Sequence, residues 1–470
     1  MDEQNENFEE TALQMKKLME PRAVAIVGAS GKIEKVGGAI TRNALDSGYP
    51  GKIYLVNPNA TQIFGREVYP NLEKVPGEID LVEIVVPAPV VPEIMEQAVR
   101  KGVKGAVIIS SGFAEVGNED LQNQVARIAK EGKIRVIGPN CFGLINTEIG
   151  LDLSFTFGKP LKGSIAFVSQ SGAMCCGTLD WAYKEEVGFS KFINLGNKCD
   201  VDESDALAYL MEDRQTRVIA MYIEGIKDGR KLFEALKFAS KKKPVVVLKA
   251  GVTESGARAA LSHTGSIAGS VSIIKAALKQ SGAIGVEGVE ELFDITQVFS
   301  QPLSRGRNVA ILSNAGGLSV MATDWCCKLG LSLPTFPAET VKELKAFLPT
   351  IASASNPVDM TGDADYERYK KVLETISKMK TIDLIISIFV SQGLVTSDGP
   401  ARAAVETQEV CDKPILAYWM GGSSIMNGLR ILKSGGIPVY SSPERVAKAA
   451  ASLVTYSDFR KKIESSQLGN

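Results

Sequence analysis

Short runs of β-branched residues alternate with helix-like segments along almost the whole chain. The first block of this pattern starts at Ala23 and contains the runs AVAIVGAS, KIYLVNPN and GAVIISSGF. A second block starts at GSIAFVSQSGA, and a third starts at NVAILSNAGG after the linker QPLSRGR. Strands that alternate with helices in this way are typical of parallel sheets with helices on both faces. The pattern therefore predicts an α/β protein with three doubly wound, parallel-sheet domains.

The ends of the three blocks give the expected domain boundaries. Before the first block lies a polar, acidic segment with one amphipathic stretch at Leu13, Met15 and Leu18, which is more typical of a docking arm than of a domain. A chain of 470 residues is too long for one hydrophobic core and long enough for about three domains. The expected segments are an arm at 1–20, domains at 21–150, 151–300 and 308–460, a linker at 301–307 and a tail at 461–470.

The composition argues against several classes of protein. The formal net charge is −1 without a basic stripe, whereas nucleic-acid readers normally carry a basic excess. The sequence has no apolar run long enough to span a bilayer and no secretory leader, so we expect a cytoplasmic protein that binds neither membranes nor nucleic acids. Seven cysteines and one histidine include no CxxC pair with metal-ligand spacing, so we expect reduced thiols and no metal site in the chain.

The second and third blocks contain the same strand-turn-helix segment. IAFVSQSGAMCCGTLDWA and VAILSNAGGLSVMATDWC align without a gap, with Ser169 opposite Ser313 and Gly172 opposite Gly316. A helix that follows such a small-residue turn offers unpaired amides and about half a positive charge, which attract phosphate. A duplicated domain whose glycines only close strand-to-helix turns would show the same pattern. The candidate phosphate-binding residues are Ser171, Gly172, Gly316 and Gly317.

The first strand of the first block ends in a glycine turn. The turn and the residues that lead to the next helix resemble a phosphate-binding loop, and its candidate residues are Gly28, Ala29, Ser30 and Lys35. An NAD site would need an acidic residue near the end of the second strand to bind the ribose hydroxyls. Asn57 and Pro58 occupy that place. The absence of an acidic residue at this place argues against an NAD site. It is compatible with a ligand whose ribose is phosphorylated, such as CoA.

Three further strands of this block end in proline, glycine or small polar residues. The carboxyl ends of parallel strands meet at the edge where open α/β sheets bind ligands. Ordinary turn chemistry explains single positions such as Pro139, but not a polar rim at five strand ends. The further candidate ligand-binding residues are Val86, Pro87, Ser111, Gly112 and Asn140.

The one histidine of the chain, His263, lies in residues 254–270, a run made almost wholly of small residues. A core histidine is usually framed by larger apolar residues, so this context favours a functional role. Imidazole can accept a phosphoryl group when a carboxylate orients its other nitrogen. Glu224, at the end of the strand AMYIEG, is the candidate carboxylate, and a solvated strand-end acid would give the same pattern.

At these residues the sequence resembles the nucleoside-diphosphate-forming acyl-CoA synthetase superfamily, specifically the α subunits of ADP-forming acetyl-CoA synthetases. Succinyl-CoA synthetase is a more distant relative. The resemblance covers nearly the whole chain and rests on AIVGAS, VVPAP, SSGF and GPNCFG in the first domain, SQSGA, YIEG and SHTGS in the second, and SNAGG and SNPVDMTGDA in the third. It implies a Rossmann-like CoA-binding domain followed by two flavodoxin-like domains, of which the first carries a phosphorylated histidine.

The resemblance also implies a reaction and a partner. Acyl-CoA, ADP and phosphate would give acid, CoA and ATP through an acyl phosphate and a phosphohistidine at His263, which Glu224 would stabilise. CoA is then a substrate, and acetate is the expected acid. ADP or ATP with Mg²⁺ would be bound mainly by a β subunit with an ATP-grasp module, for which the three blocks leave no segment. We expect an α2β2 assembly.

Three other functions are weighed against this one. An NAD-linked oxidoreductase would bind a nicotinamide cofactor, which the missing acid near Asn57 disfavours. A regulator fused to an acyltransferase would need a further domain. A CoA-binding scaffold or sensor would keep the same fold without turnover, and it would tolerate the loss of His263.

Overall fold

The computed structural model describes residues 2–156, 158–256, 258, 271–393 and 395–468. The chain forms two compact units, Met1–Glu287 and Gly288–Asn470, and each has its own hydrophobic core. Within the described residues, two sheets belong to the first unit and one belongs to the second. Parallel strand pairs dominate all three sheets, which confirms the predicted α/β class.

The first sheet has the strand order of a Rossmann fold. Its strands are β1 (Ala23–Val27), β2 (Lys52–Val56), β3 (Gln62–Ile63), β4 (Arg66–Tyr69), β5 (Leu81–Ile84), β6 (Gly105–Ile108) and β7 (Arg135–Ile137). They lie in the order β3-β4-β2-β1-β5-β6-β7, and all neighbours are parallel except β3 and β4. Without the short β3 this is the Rossmann order 3-2-1-4-5-6. The helices of this part are α1 (Asp2–Met19), α2 (Val36–Asp46), α3 (Val91–Lys101) and α4 (Glu119–Gly132).

The second sheet has a flavodoxin-like core. Its strands are β8 (Gly143–Asn146), β9 (Leu151–Ser154), β10 (Lys162–Ser169), β11 (Phe189–Asn194), β12 (Val218–Ile223), β13 (Val245–Lys249) and β14 (Ile284–Val286). They lie in the order β14-β13-β12-β10-β11-β8-β9. The five parallel strands β10 to β14 therefore have the flavodoxin order 2-1-3-4-5. The helices are α5 (Gly172–Glu185), α6 (Glu203–Leu210), α7 (Gly229–Lys242) and α8 (Val271–Ser281).

Strand β8 joins a different sheet from the one that the sequence boundary at 150 assigned to it, whereas β9 lies in the sheet of the expected second domain. β8 pairs antiparallel with β11, and β9 pairs antiparallel with β8. A short apolar strand carries no sequence signal for its partner, so its pairing could not be predicted from the pattern. The strand pairing places residues 143–154 at the edge of the second sheet.

Helix α1 is built into the first unit. Met15, Leu18 and Met19 are fully buried. Phe8 packs against Phe238 of α7 with 5.3 Å between the ring centroids. Asn146 Nδ2 in β8 donates a hydrogen bond to Met19 O (2.8 Å). The amphipathic segment that the sequence indicated therefore docks on elements of both sheets of this unit.

The third sheet repeats the flavodoxin order with parallel strands alone. Its strands are β15 (Val309–Ser313), β16 (Val358–Asp359), β17 (Leu384–Val390), β18 (Ile415–Met420) and β19 (Val439–Tyr440). The order β16-β15-β17-β18-β19 is again 2-1-3-4-5. The helices of the second unit are α9 (Val289–Val298), α10 (Gly316–Lys328), α11 (Ala338–Lys345), α12 (Tyr366–Ser377), α13 (Asp398–Val410), α14 (Met426–Ser434) and α15 (Pro443–Leu468).

Helix α9 lies in the second unit, although the sequence boundary at 300 placed it in the preceding domain. Arg445 of α15 donates to both carboxylate oxygens of Asp294 in α9, with 2.7 Å between Nη2 and Oδ1. Tyr440 Oη donates to Asp294 O (3.2 Å). The partly buried ion pair ties α9 to α15. Among the helices of the described residues, none combines the length and apolar content that a bilayer crossing requires.

Candidate functional site

The predicted ligand-binding residues of the first domain lie at one edge of the first sheet, because they follow the carboxyl ends of its parallel strands. Hydrogen bonds join the neighbouring loops. Asn57 Nδ2 donates to Ala29 O (2.8 Å). Ser110 Oγ donates to Val86 O (2.5 Å), and Asn140 N donates to Ser110 O (2.9 Å). These bonds join the loop after β2 to the loop after β1, and they join the loops after β5, β6 and β7 to one another. The five loops together are called the strand-end rim.

The backbone around Gly28 is packed too closely for a side chain. Gly28 has φ +91°, and a Cβ on it would lie 2.2 Å from Val85 O. A Cβ on Gly37, in the first turn of α2, would lie 2.3 Å from Gly28 O. The close contact brings the start of α2 against the loop, and its N-cap residue Lys35 makes no side-chain cap. The unpaired amides of this helix start can bind an anion.

The predicted rim residues differ in what they can offer a ligand. The side chain of Ala29 is buried in the core, so only its backbone could reach a ligand. Asn57 uses its amide to hold the loops, since its Oδ1 also accepts from Asn59 N (2.8 Å). Gly28, Ser30, Val86 and Gly112 are partly buried, and the exposed members of the set are Lys35, Pro58, Pro87, Ser111 and Asn140.

The first helix start, residues 169–172, joins β10 to α5. Ser169 Oγ donates to Ser171 O (2.9 Å) and accepts from Ser171 N (3.1 Å), which fixes the turn. Ser171 is the N-cap of α5, and its Oγ accepts from Met174 N (3.3 Å). A Cβ on Gly172 would lie 3.5 Å from Asn194 Oδ1, and the first turn of α5 has no acidic residue. The predicted residues Ser171 and Gly172 thus lie at a neutral helix start.

The second helix start, residues 313–317, joins β15 to α10 in the second unit. Ser313 Oγ donates to Ala315 O (3.0 Å) and accepts from Ala315 N (2.8 Å). No side chain caps α10, and Gly317 faces open space. Asp359 Oδ2 lies 2.5 Å from the place that a Cβ would take on Gly316. A carboxylate therefore lies against the predicted phosphate-binding residues of this unit.

The strand pairing shows that the two helix starts are equivalent in position and differ in this charge. Ser169 pairs with Asn194 in β10 and β11, and Ser313 pairs with Asp359 in β15 and β16. A neutral amide and a carboxylate thus occupy equivalent positions. Because an acid near a helix N-terminus interacts with the same partial positive charge as a phosphate would, the second helix start should attract phosphate less strongly.

Glu224, the predicted partner of the histidine, is buried directly after β12. Gln170, inside the first helix start, holds the backbone at this position. Its Oε1 accepts from Glu224 N and from Gly225 N (both 2.8 Å), and its Nε2 donates to Gly225 O (2.6 Å). One side chain therefore ties the candidate phosphate-binding turn to the candidate carboxylate.

A buried ion pair contacts the same backbone segment that Gln170 holds. Lys198 Nζ lies 2.7 Å from Glu203 Oε1 and donates to Gly225 O (2.7 Å). Gln170 Nε2 also donates to Glu203. Lys198 has φ 57°, a left-handed conformation that is uncommon for residues other than glycine. Sequence analysis missed these residues, although Gln170 aligns with Asn314, a second amide, in the internal repeat.

Two further polar groups surround Glu224. Burial and the neighbouring Glu224 carboxylate raise the pKa of Tyr222 to about 12. Lys249 Nζ donates to Glu224 O (2.7 Å); burial lowers the pKa of Lys249, and the Glu224 charge opposes that shift. These bonds fix the backbone of Glu224, and its carboxylate can accept an imidazole N–H and set the orientation of the ring. His263 itself lies outside the described residues, so its position at Glu224 stays a prediction.

Comparison with known proteins shows which family the chain belongs to. The chain matches the models of a CoA binding domain at residues 22–147, a succinyl-CoA ligase like flavodoxin domain at 162–299 and a ligase-CoA domain at 309–457. The α subunit of ADP-forming acetate–CoA ligase II from Pyrococcus furiosus is 42% identical over 443 residues, which are 92% of this chain and 96% of the relative. The chain belongs to the ADP-forming acetate–CoA ligase family. The resemblance inferred from the motifs is thereby confirmed.

Other members of the ligase family differ in length. ADP-forming acetate–CoA ligase I of Archaeoglobus fulgidus is 43% identical over 445 residues, which are 94% of this chain but 64% of the relative. A solved structure of the dinucleotide-forming acetyl-CoA synthetase 1 of Ca. Korarchaeum cryptofilum, in complex with phosphate and ADP, is 36% identical with a TM-score of 0.92. That match covers 96% of this chain and 98% of the solved chain. The fold of this chain is therefore that of the ligase family.

Proposed function

We propose that the chain is the CoA-binding, phosphohistidine-carrying subunit of an ADP-forming acid–CoA ligase. It would interconvert acyl-CoA, ADP and phosphate with acid, CoA and ATP, and acetate is the proposed acid. The observation that carries this proposal is the link through Gln170, which ties Glu224 to the neutral helix start at Ser171 and Gly172. Phosphoryl transfer through a histidine needs both an anion site and an orienting carboxylate.

The proposed reaction has three steps. A phosphate oxygen attacks the acyl carbonyl carbon, the C–S bond breaks, and the CoA sulfur takes up a proton. A nitrogen of His263 then attacks the phosphorus of the acyl phosphate, and the carboxylate of the acid leaves. Finally an oxygen of the ADP β-phosphate attacks the phosphorus, and the P–N bond breaks to give ATP. In this scheme the amides of the first turn of α5, from Gly172 onward, hold the phosphate, and Ser171 fixes that turn as its N-cap. Glu224 accepts the N–H of the other ring nitrogen.

CoA would be bound at the strand-end rim. The exposed Lys35 and the unpaired amides at the start of α2 are suited to a phosphate of the CoA nucleotide. Gly28, Ala29 and Ser30 would present their backbone, and the loops after the other strands would complete the pocket. These loops contain Asn57, Pro58, Val86, Pro87, Ser111, Gly112 and Asn140.

We place the ADP site, with Mg²⁺, on a β subunit that carries an ATP-grasp module in a cytoplasmic α2β2 enzyme. Two features of the relatives support a partner. The Pyrococcus furiosus relative is named as a subunit alpha, and the Archaeoglobus fulgidus relative is longer than this chain. The solved Ca. Korarchaeum cryptofilum relative was in complex with phosphate and ADP.

Labelling tests the phosphohistidine directly. In the complex with the β subunit, acetyl phosphate is expected to give an acid-labile, base-stable phosphoryl label at His263. The change His263→Asn keeps the size of the side chain but removes the nucleophilic nitrogen, so ATP formation should fall by several orders of magnitude. CoA binding, measured by calorimetry, should persist. Glu224→Gln is the matched variant, and it should leave a reduced, shorter-lived label.

Two results would overturn the proposal. Near-normal turnover by a folded His263→Asn complex would remove the phosphohistidine and favour a CoA-binding scaffold. Robust ATP synthesis by the isolated chain would remove the need for a β subunit.

A further inference from the structure

A cleft of about 620 Å³ lies in the first unit, away from the strand-end rim. Lys104 and Ile134, two of its lining residues, directly precede β6 and β7. The cleft is therefore at the amino ends of these strands, whereas the rim follows their carboxyl ends. The carboxyl-terminal turns of α1 and α4 contribute further lining residues, among them Lys17 and Lys130.

The lining carries an excess of positive charge. It includes the four lysines Lys17, Lys104, Lys130 and Lys133, none of which makes an ion pair with a residue that the structure describes. The other charged groups of the lining compensate each other, because Arg135 Nε lies 2.9 Å from Asp200 Oδ2. Four ammonium charges are thus uncompensated inside one cleft of a chain whose net charge is −1.

Helix-end charges account for only part of this excess. Lysines are favoured at helix carboxyl termini, where each helix carries roughly half a negative charge. The ends of α1 and α4 would together neutralise about one of the four lysine charges on this scale. Lys133 also has φ 54° at the C-cap of α4, where glycine or asparagine is the usual residue. A lysine thus occupies a position whose backbone conformation disfavours it.

Apolar residues also line the cleft. They are Ala126, Ala129 and Ile134, of which Ala129 and Ile134 expose only 1% and 2% of their surface. The volume of the cleft falls within the range of pockets that bind small molecules, roughly 300–1,000 Å³. The exposed lysines are therefore the groups that a ligand would contact, and a ligand that matches them carries several negative charges.

We propose that this cleft binds a small molecule with two or more phosphate groups, of which a nucleoside triphosphate is the representative. The lysines would contact the phosphates. This site is distinct from the proposed CoA rim and does not depend on the proposed reaction.

Isothermal titration of the full chain tests the site with two probes, magnesium-free ATP and inorganic tripolyphosphate. Both are expected to bind saturably, and more weakly as salt screens the lysines. The double change Lys104→Gln and Lys130→Gln should weaken binding about tenfold, since each exposed ion pair contributes up to about 1 kcal/mol. The same change at the exposed residues Lys378 and Lys380 is the matched control and should have no effect.

The two probes also define the ligand. Tighter binding of ATP would show that the cleft also binds the nucleoside, and equal binding would show that the lysines recognise the polyphosphate alone. Absence of saturable binding of both probes, or equal weakening in the control variant, would overturn the proposal.

Discussion

The two helix starts, residues 169–172 and 313–317, have the same turn but different surroundings. In each, a serine hydroxyl at the end of the strand bonds to the backbone N–H and C=O two residues later. The first is capped by a serine side chain and faces the neutral Asn194. The second has no side-chain cap and faces the carboxylate of Asp359. Two turns with the same geometry can therefore attract an anion to very different degrees.

An amide side chain follows the serine in both turns, but the two amides reach different strand ends. Asn314 exchanges two hydrogen bonds with the backbone of Val390, at 2.8 and 2.9 Å. Gln170 makes the corresponding bonds to Glu224 and Gly225. The amide link is therefore a structural feature of both domains, and in the first unit it also holds the backbone of Glu224, which carries the candidate carboxylate.

The largest effect is expected from breaking the amide link in the first unit. Gln170→Met roughly keeps the side-chain length but leaves Glu224 N and Gly225 N without their acceptor. A displacement of the carboxylate by about 1 Å should lower kcat of the complex about a hundredfold. The phosphohistidine label should also decay faster, whereas CoA binding should be unchanged. Asn314→Leu is the matched control, and an equally large fall in its kcat would break the comparison.

A smaller effect is expected from the charge at the second helix start. If Asp359 repels phosphate there, Asp359→Asn should lower the KM for phosphate about fivefold, since two charges about 4 Å apart in water interact by about 1 kcal/mol. Asp363→Asn removes a nearby exposed acid and should leave this KM unchanged. A higher KM in Asp359→Asn would instead show that the carboxylate assists phosphate binding.

The smallest effect concerns the helix caps. Ser171→Ala should lower the free energy of unfolding by about 1 kcal/mol, because Met174 N loses its acceptor. Ala315→Ser should raise it by a similar or smaller amount by adding the missing cap. Urea denaturation of the two variants measures both changes. A destabilised Ala315→Ser protein would show that the two turns are less alike than their hydrogen bonds indicate.

The class of the fold could be predicted because the pattern of strands and helices is local, and local patterns are readable in a sequence. Sheet membership depends on distant pairing, so the expected boundary at 150 left β8 outside the sheet that it joins. Burial is equally hard to read at single polar positions. Glu83 lies inside the apolar run of β5, and neither of its carboxyl oxygens has a hydrogen-bond partner among the described residues. Burial raises its pKa well above the usual range.

Much of the candidate site could also be predicted, because ligand-binding loops follow strand ends. The strand-end rim and both helix starts were found in this way. The position of the Asp359 carboxylate against Gly316 depends on strand register, which the sequence does not specify. The pairing of Gln170 with Asn314 was visible in the repeat, but its meaning required knowledge of which backbone groups the amides reach.

The packing of α1 and the strand pairing of β8 limit where genes of this family can be divided. Because α1 packs against β6, β7 and β8, and β8 continues the second sheet, a cut after residue 150 would separate elements of one core. Few contacts are expected to cross a natural boundary between modules. A gene-fission event, or a deliberate split for domain exchange, should therefore be tolerated near residue 288, where the two compact units meet in sequence. The nucleotide-fold domain and its neighbour would be inherited together.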